Sequence, residues 1–243
     1  MPDLSDANDP LLFSFNGVTH PVRYSANLRE VTAVALAGGE YPILDLPGFA
    51  PATIVDAGAN VGATALHFHR HYPVARVLCF EPAAENVALL RANTAPFPLI
   101  EPIAAGLGDT DGEVRLYHGR EQSGQHSVFA SGMVSEGESE SVPIERASSA
   151  LHRRGVARLD LIKIDTEGCE VPILRDLLPA FSPGVIYFEI HAEDDRLEID
   201  RLLGATHLLA RGRITNPHRG QLAYVRKDLL PGRGDDFYYR IAR

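Results

Sequence analysis

Five short apolar runs, separated by stretches of helical or turn character, constrain the fold of this chain more than any other feature of its sequence. They cover residues 54–55, 76–80, 99–104, 159–164 and 185–190. Between the first two runs, the apolar residues at helical spacing are Val61, Ala65, Phe68 and Tyr72. Continuous apolar runs that alternate with helices are typical of parallel strands covered on both faces. The sequence therefore predicts right-handed βαβ crossovers and a doubly wound, mostly parallel α/β sheet of Rossmann-like type.

The segment before the first apolar run contains a helix of its own. We predict it over residues 27–37, because Asn27 can cap it, Glu30 stands at the capping-box position and two glycines follow it. On this basis residues 1–53 form an N-terminal helical or extended cap, and residues 54–243 form the main domain.

Beyond the fifth run the pattern changes. Apolar runs at residues 208–211, 222–226 and 237–241 have no helix between them, so we predict an antiparallel edge of the sheet there. Residues 119–141 also interrupt the alternation of apolar runs and helices, because they contain four glycines and six serines. They predict a long mobile loop, which is either a plain solvated insertion or a lid over an acceptor site.

Length, net charge and cysteine content limit the number of domains, the kinds of binding partner and the cellular compartment that we expect. A chain of 243 residues suits one α/β domain better than two independent ones. Its net charge of −9 would repel phosphate backbones and anionic lipid, so neither nucleic acid nor a membrane is expected as a partner. Cys79 and Cys169 form no CxxC pair, and neither a basic leader nor an apolar run of membrane length is found, so we expect a reduced, cytoplasmic setting. The sequence is silent on oligomeric state and allows a homo-oligomer.

The strongest site motif is IVDAGANVG at residues 54–62, an apolar strand that runs into a glycine-rich turn and a helix. Gly58 and Gly62 leave room for a cofactor to approach the backbone, and the helix start presents free N–H groups. The motif is not the dinucleotide fingerprint G-x-G-x-x-G, because Asn60 stands at its third position. A carboxylate at Asp56 would repel a pyrophosphate but favour the amino group of a methionine moiety, which points to S-adenosylmethionine over NAD.

Two further acidic residues extend this cofactor site. Glu81 ends the next strand, 25 positions after Asp56, where a carboxylate can accept both ribose hydroxyls of an adenosine. Asp109, in the turn GDTDG, is a candidate for the adenine edge, although acidic turns also form for purely local reasons.

The stretch LIKID places a lysine inside an apolar strand. Strand alternation puts Lys163 and Asp165 on one face, which is explained either by a structural ion pair or by a functional carboxylate at the end of the strand. The second explanation rests on the position of Asp165, because open α/β sheets bind ligands at the carboxyl ends of their strands.

The stretch VIYFEIH brings two more polar residues to a strand end. Glu189 and His191 share a face, and if the two strands are neighbours they converge with Asp165 beside the transferred methyl group. His191 is our candidate base, because an imidazole ionises nearer to working pH than a carboxylate paired with a lysine, and Asp165 then orients it. The same group could hold a divalent ion, but no spacing matches a dedicated metal motif and we assign no metal site.

Other polar residues have simpler explanations. We predict that His67, His69 and His71, on one helix, are solvated, because no H-E-x-x-H spacing joins them. Cys169 has no neighbouring partner for nucleophilic catalysis and is interpreted as a small turn residue.

Taken in order, IVDAGANVG, FEP and LIKIDTEGCE resemble the FkbM-type S-adenosylmethionine-dependent methyltransferases over roughly residues 54–191. The resemblance implies a class I methyltransferase sheet and methyl transfer to hydroxyls of natural products or sugars. The residues that it places at the methionine end of the cofactor are Asp56, Gly58, Asn60 and Gly62. It assigns binding of the ribose to Glu81. Tyr41 lies in a Gly-Glu-Tyr stretch like one in relatives and would cover the cofactor. Cys169 departs from the small apolar residue usual in the family.

Three functions are compatible with the sequence. The first is an O-methyltransferase that acts on a small-molecule hydroxyl acceptor, in which the enzyme aligns and desolvates the reacting pair. The second is a nicotinamide oxidoreductase, which the missing fingerprint opposes. The third is a binding module that has kept the fold without the chemistry.

Overall fold

The computed structural model describes residues 9–25, 28–119, 126–127, 134–216 and 219–230. Its helices and strands are β1 Leu11–Phe15, β2 Val18–Val22, α1 Arg29–Leu36, β3 Thr53–Ala57, α2 Ala63–His71, β4 Arg76–Phe80, α3 Ala84–Thr94, β5 Ile100–Ile103, β6 Gly106–Gly108, β7 Gly112–Gly119, β8 His126–Ser127, β9 Val134–Arg146, α4 Ala147–Arg153, β10 Leu161–Ile164, α5 Glu170–Leu177, β11 Val185–Ile190, α6 Glu193–Leu203, β12 His207–Asn216 and β13 Arg219–Arg226, followed by a 3-10 helix at Lys227–Leu229.

The main sheet has seven strands in the order β12-β13-β11-β10-β3-β4-β5. The strands from β11 to β5 are parallel, whereas β13 is antiparallel to both β11 and β12. This arrangement confirms a mostly parallel α/β sheet with an antiparallel C-terminal edge. The chain moves from β3 outward to β5 and then returns to β10 on the other side of β3. The reversal between β3 and β10 is the point at which open α/β sheets bind their ligands.

Strand alternation divides the core into two layers. Val55 of β3 packs with the layer of α4, α5 and α6, whereas Ile54 packs with the layer of α2. The second layer also contains Phe13 from β1 and Leu46 from the segment before β3. The described part of the N-terminal segment therefore shares a core with the sheet, and its division from the main domain at residue 53 stays a prediction.

The N-terminal helix begins later than its sequence signals predict. Leu28 occupies the N-cap position, no side chain caps the helix, and Asn27 lies outside the described residues. Glu30 is therefore the second helical residue and does not stand at the capping-box position. Leu28 is almost fully buried, so packing fixes the start of this helix where local capping was expected to do so.

Part of the predicted loop at residues 119–141 is strand. β9 pairs antiparallel with β7 and parallel with β6, in a second sheet of order β6-β9-β7-β8. The loop prediction is wrong for residues 126–127 and 134–141, which are strand. Residues 126–127, 134 and 139–141 pair with β7, and this pairing satisfies backbone groups despite the many glycines and serines. Residues 120–125 and 128–133, and the predicted strand at 237–241, lie outside the described residues.

None of the described helices combines the length and the apolar character needed to cross a membrane.

Candidate cofactor and acceptor site

The glycine-rich turn lies between β3 and α2 at the carboxyl edge of the sheet. Gly58 has a φ of 76°, and a β-carbon on it would lie 1.8 Å from the backbone oxygen of Asp165. Its N–H donates to the carbonyl oxygen of Phe80 at 2.9 Å, which ties the turn to β4. Asn60 and Gly62 also have positive φ, so the turn passes through the left-handed region three times within five residues.

Lys163 joins this turn to β10 from inside the sheet. Its Nζ donates to the carbonyl oxygen of Gly58 at 2.6 Å and lies 3.2 Å from Asp56 Oδ1 and 3.5 Å from Asp165 Oδ2. Burial alone would lower the pKa of Lys163, but the charges of the two aspartates outweigh it and raise that pKa above its usual value. The lysine is therefore charged, and it holds the turn by both hydrogen bonding and ion pairing.

Glu81 links the turn to the start of α3. Its Oε2 accepts the N–H of Asn60 at 2.9 Å, and its Oε1 accepts the N–H of Ala83 at 3.0 Å. Burial raises the pKa of this carboxyl, whereas the hydrogen bonds from Ala83, Asn60 and Asn86 oppose that rise. Glu81 thus fixes the local backbone and still presents its carboxylate at the cavity described next.

A cavity of about 330 Å³ opens beside the turn, α1 and the second sheet. Its volume falls within the range of small-molecule sites, roughly 300–1,000 Å³. The apolar part of its wall includes Leu28, Val31, Pro82, Leu107, Leu116 and Ile144. The acidic part contains Glu40, Asp165, Glu167 and Glu189. One cavity therefore offers apolar surface and several carboxylates at the ligand-binding edge of the sheet.

The structure brings together only some of the residues proposed from the sequence. Those that line the cavity are Gly58, Asn60, Glu81, Asp165 and Glu189. Those that do not are Tyr41, Asp56, Gly62, Asp109 and His191. Asp56 is fully buried behind the turn and pairs with Lys163, and Asp109 is exposed. Tyr41 is buried too, and its hydroxyl donates to Asp165 Oδ2 at 3.0 Å, so it contacts the acidic part of the cavity through that carboxylate.

His191 does not have the near-neutral ionisation expected of a base. Its Nε2 lies 3.1 Å from Glu167 Oε2 and 3.5 Å from Glu189 Oε2, and its Nδ1 lies 3.6 Å from Glu170 Oε1. Burial would lower the pKa of His191, but its interactions with these three carboxylates outweigh burial and raise the pKa to about 12. The imidazole is therefore already protonated at neutral pH, which opposes its assignment as the base.

The same residues form a group with the donor atoms of a cation site. Asp165, Glu167, Glu189 and His191 each offer one ligand atom, and these atoms all lie within 4.8 Å of one another. Charged His191 and Arg219, whose Nη2 donates to Glu167 Oε2 at 3.2 Å, compensate the carboxylates from within the protein. The described geometry is thus that of an ion-pair network.

The pKa values of Asp165 and Glu189 shift in opposite directions. Burial and the neighbouring charge of Asp165 raise the pKa of Glu189. Burial acts against ionisation of Asp165 too, but the charge of Lys163 outweighs it and lowers the pKa of Asp165. A proton added to this pair therefore goes to Glu189, which also accepts a hydrogen bond from Gln221 Nε2 at 3.1 Å.

A family model described as a methyltransferase FkbM domain matches residues 56–212, which contain the turn and both acidic strand ends. The chain belongs to the FkbM methyltransferase family. This membership confirms the resemblance seen in the motifs, and with it a methyltransferase domain whose cofactor is S-adenosylmethionine.

Two curated relatives illustrate the similarity. Methyltransferase sdnD from Sordaria araneosa is 28% identical over 165 residues, which cover 56% of this chain and 63% of that protein. The 31-O-demethyl-FK506 methyltransferase FkbM from Streptomyces tacrolimicus is 27% identical over 189 residues, which cover 65% of this chain and 70% of that protein. The chain therefore spans less than two thirds of the length of sdnD.

A solved structure shows the same fold. Fibrillarin from Aeropyrum pernix, in complex with natively bound S-adenosyl-L-methionine, matches with a TM-score of 0.50 and 16% identity, covering 90% of this chain and 83% of that one. Similarity at this level of identity concerns the fold alone. It confirms the class I methyltransferase fold predicted for this FkbM-family chain.

Sequence reasoning overlooked Glu40, which lines the cavity of this FkbM domain. Its only signal was its position beside Tyr41 in the Gly-Glu-Tyr stretch. Burial, followed by the charges of Asp165 and Glu189, raises the pKa of Glu40 to about 7, while Lys163 and Arg213 act in the opposite direction. No motif could have shown this environment, because the groups that create it come from three other strands.

The prediction of solvated histidines is wrong for two of the three on α2. His67 and His69 are each only 4% exposed, whereas His71 is exposed. The ring of His69 lies 5.0 Å from that of Phe15, because the β1–β2 hairpin covers this side of the helix. His67 fills the space above Gly38, where a β-carbon would lie 2.2 Å from its ring.

Proposed function

We propose that this FkbM-family protein transfers the methyl group of S-adenosylmethionine to a hydroxyl oxygen of a small molecule, in a cytoplasmic natural-product or sugar pathway. The observation that carries the proposal is the joining, in one cavity, of the glycine-rich turn with a group of carboxylates at the ends of β10 and β11. The name of the Streptomyces tacrolimicus relative, a 31-O-demethyl-FK506 methyltransferase, supports a hydroxyl acceptor. The net charge of −9 speaks against nucleic acid as the acceptor.

The residues on the cavity wall suit the cofactor chemically. Gly58 and Asn60 would lie beside its methionine end, and Glu81 would take the ribose hydroxyls, since a carboxylate that accepts three N–H bonds has acceptor capacity left. Pro82, Leu107 and Ile144 offer apolar surface for the adenine. Asp56 would act from behind the wall, through Lys163 and the turn.

The chemistry asked of the protein is alignment and exclusion of water. The acceptor oxygen attacks the methyl carbon in line with the departing sulfur, and a correctly held pair of reactants gains several kcal/mol, up to about 7–11 kcal/mol in the best cases. The acidic part of the cavity also favours the positively charged sulfonium over the neutral thioether product. Charged His191 would orient Glu167 and Glu189 within this part of the cavity.

An acceptor panel tests the proposal. The wild-type protein is incubated with S-adenosylmethionine and separate sets of hydroxyl, amine and carboxylate acceptors, and both S-adenosylhomocysteine and methylated product are quantified by mass spectrometry. We expect equal amounts of the two, and only with hydroxyl acceptors. Methylation confined to amines or carboxylates would contradict the proposal.

A binding experiment addresses the other two functions. We expect calorimetry to show binding of S-adenosylmethionine and S-adenosylhomocysteine and none of NAD. Binding of NAD in place of these two molecules would favour a nicotinamide oxidoreductase. Binding of S-adenosylmethionine without turnover of any acceptor in the panel would favour a non-catalytic binding module.

A further inference from the structure

Glu40 differs from the other acidic residues on the cavity wall. Among the described residues it has no hydrogen-bond or ion-pair partner. The other four carboxylates are each engaged: Glu81 with Asn60 and Ala83, Asp165 with Tyr41 and Lys163, Glu167 with His191 and Arg219, and Glu189 with Gln221 and His191. Glu40 is therefore the cavity carboxylate that no described protein group engages, so both of its oxygens are available to an acceptor.

The backbone beside Glu40 is held firmly. Tyr41 is 2% exposed, its ring packs at 5.9 Å against that of Tyr187, and its hydroxyl donates to Asp165. The residue before it consequently has a defined place at the cavity, next to the strand ends that carry the other carboxylates. A group on such a fixed segment can be oriented toward a reacting atom.

Charged groups on β10, β11 and β12, or at the ends of these strands, act on Glu40. Asp165 and Glu189, at the ends of β10 and β11, oppose its ionisation, whereas Lys163 of β10 and Arg213 of β12 favour it. Burial is the largest effect and also opposes ionisation, so the carboxyl gains and loses its proton near neutral pH. A base is most effective when its pKa lies near the working pH.

We propose that Glu40 is the general base of the methyl transfer and accepts the proton of the acceptor hydroxyl. The proposal rests on the function proposed above. As the O–H bond of the acceptor breaks, its proton passes to a carboxylate oxygen of Glu40. The acceptor oxygen forms a bond to the methyl carbon, the S–CH₃ bond breaks with its electron pair remaining on sulfur, and S-adenosylhomocysteine leaves as a neutral thioether. Glu40 then returns its proton to solvent.

The test is the variant Glu40→Gln, which keeps the shape of the side chain and removes the basic oxygen. With a hydroxyl acceptor that the wild type methylates, we expect kcat to fall by about 10²- to 10⁴-fold, the usual contribution of a general base. The wild-type rate should rise with pH through one ionisation near 7, and the variant should lack that rise. Its affinity for S-adenosylmethionine and its Tm should remain those of the wild type.

The matched control is Glu30→Gln, the same substitution at an exposed position of α1, which should behave as the wild type. A second variant, Glu40→Asp, keeps a carboxylate and should restore part of the rate and the ionisation. Wild-type turnover and an unchanged pH profile in Glu40→Gln would overturn the assignment, as would loss of the ionisation in His191→Gln instead. Wild-type activity confined to acceptors without a hydroxyl would overturn the proposed function, a result separate from the behaviour of the Glu40 variants.

Discussion

Gly48 and Gly58 have the same φ and different surroundings. Both have a φ of 76°, but a β-carbon on Gly48 would meet nothing within 4 Å, whereas one on Gly58 would lie 1.8 Å from the backbone oxygen of Asp165. Gly48→Ala should therefore cost only the left-handed backbone, about 1–2 kcal/mol. Gly58→Ala should cost roughly 1–3 kcal/mol more, because β3 and β10 must move apart. Urea unfolding of both variants measures the difference, and equal losses would show that the turn absorbs the extra atom.

His191 makes a pH-dependent contribution to stability. Its pKa rises from 6.5 to about 12 on folding, so its stabilising effect is fully present below pH 6.5 and declines as the pH rises toward 12. His191→Gln should thus lower the free energy of unfolding by about 3–5 kcal/mol near pH 6, as expected for a broken buried ion pair, and by less at pH 9. Exposed His71→Gln is the control. A loss that is the same at both pH values would contradict the raised pKa.

At the scale of elements, α1 is one of the helices that line the cavity. Leu28 at its N-cap and Val31, Thr32 and Ala35 within it line the cavity wall. Ligands that bind only the closed native state suppress local opening of the segments they touch. We expect hydrogen exchange at residues 29–36 to slow by roughly tenfold or more when S-adenosylmethionine is added. α6 has no residue on the cavity wall and should exchange unchanged, and equal slowing of both helices would contradict this role of α1.

The strands of the main sheet were predictable because their signal is local. The run at 185–190 became β11 with the same bounds, and the two apolar runs without intervening helices became the antiparallel edge. The start of α1 and the strand at residues 134–141 were not predictable, because packing of Leu28 and pairing with β7 outweigh the local residue preferences.

The sequence predicted which strand-end residues lie close together better than it predicted their ionisation. Parallel strands bring Asp165 and Glu189 together wherever they are neighbours, and β10 and β11 are. The ionisation of His191 depends on Glu167 and Glu170, which come from the loop after β10 and the start of α5. Glu167 and Glu170 come close to His191 only in the folded chain, so the spacing of residues in the sequence does not predict these contacts.

At the scale of the whole molecule, residues far apart in the described part of the chain pack in one apolar layer. Phe13 and Leu46 pack in the same apolar layer as Phe68 and Tyr187, although more than a hundred residues separate the first from the last. Contacts of this kind link the termini of the described chain to its centre, so the cavity and the sheet depend on both.

The position of β13 sets a limit on how the protein can be trimmed. The region shared with the family ends at residue 212, yet β13 begins at Arg219 and lies between β11 and β12. A fragment cut to residues 56–212 would expose the open edge of β11 and would also lack α1, Glu40 and Tyr41. We expect it to aggregate and to bind no S-adenosylmethionine in calorimetry, whereas the full chain of 243 residues should remain soluble and bind it. The family match at residues 56–212 is thus shorter than the part of the chain that we expect a functional protein to need.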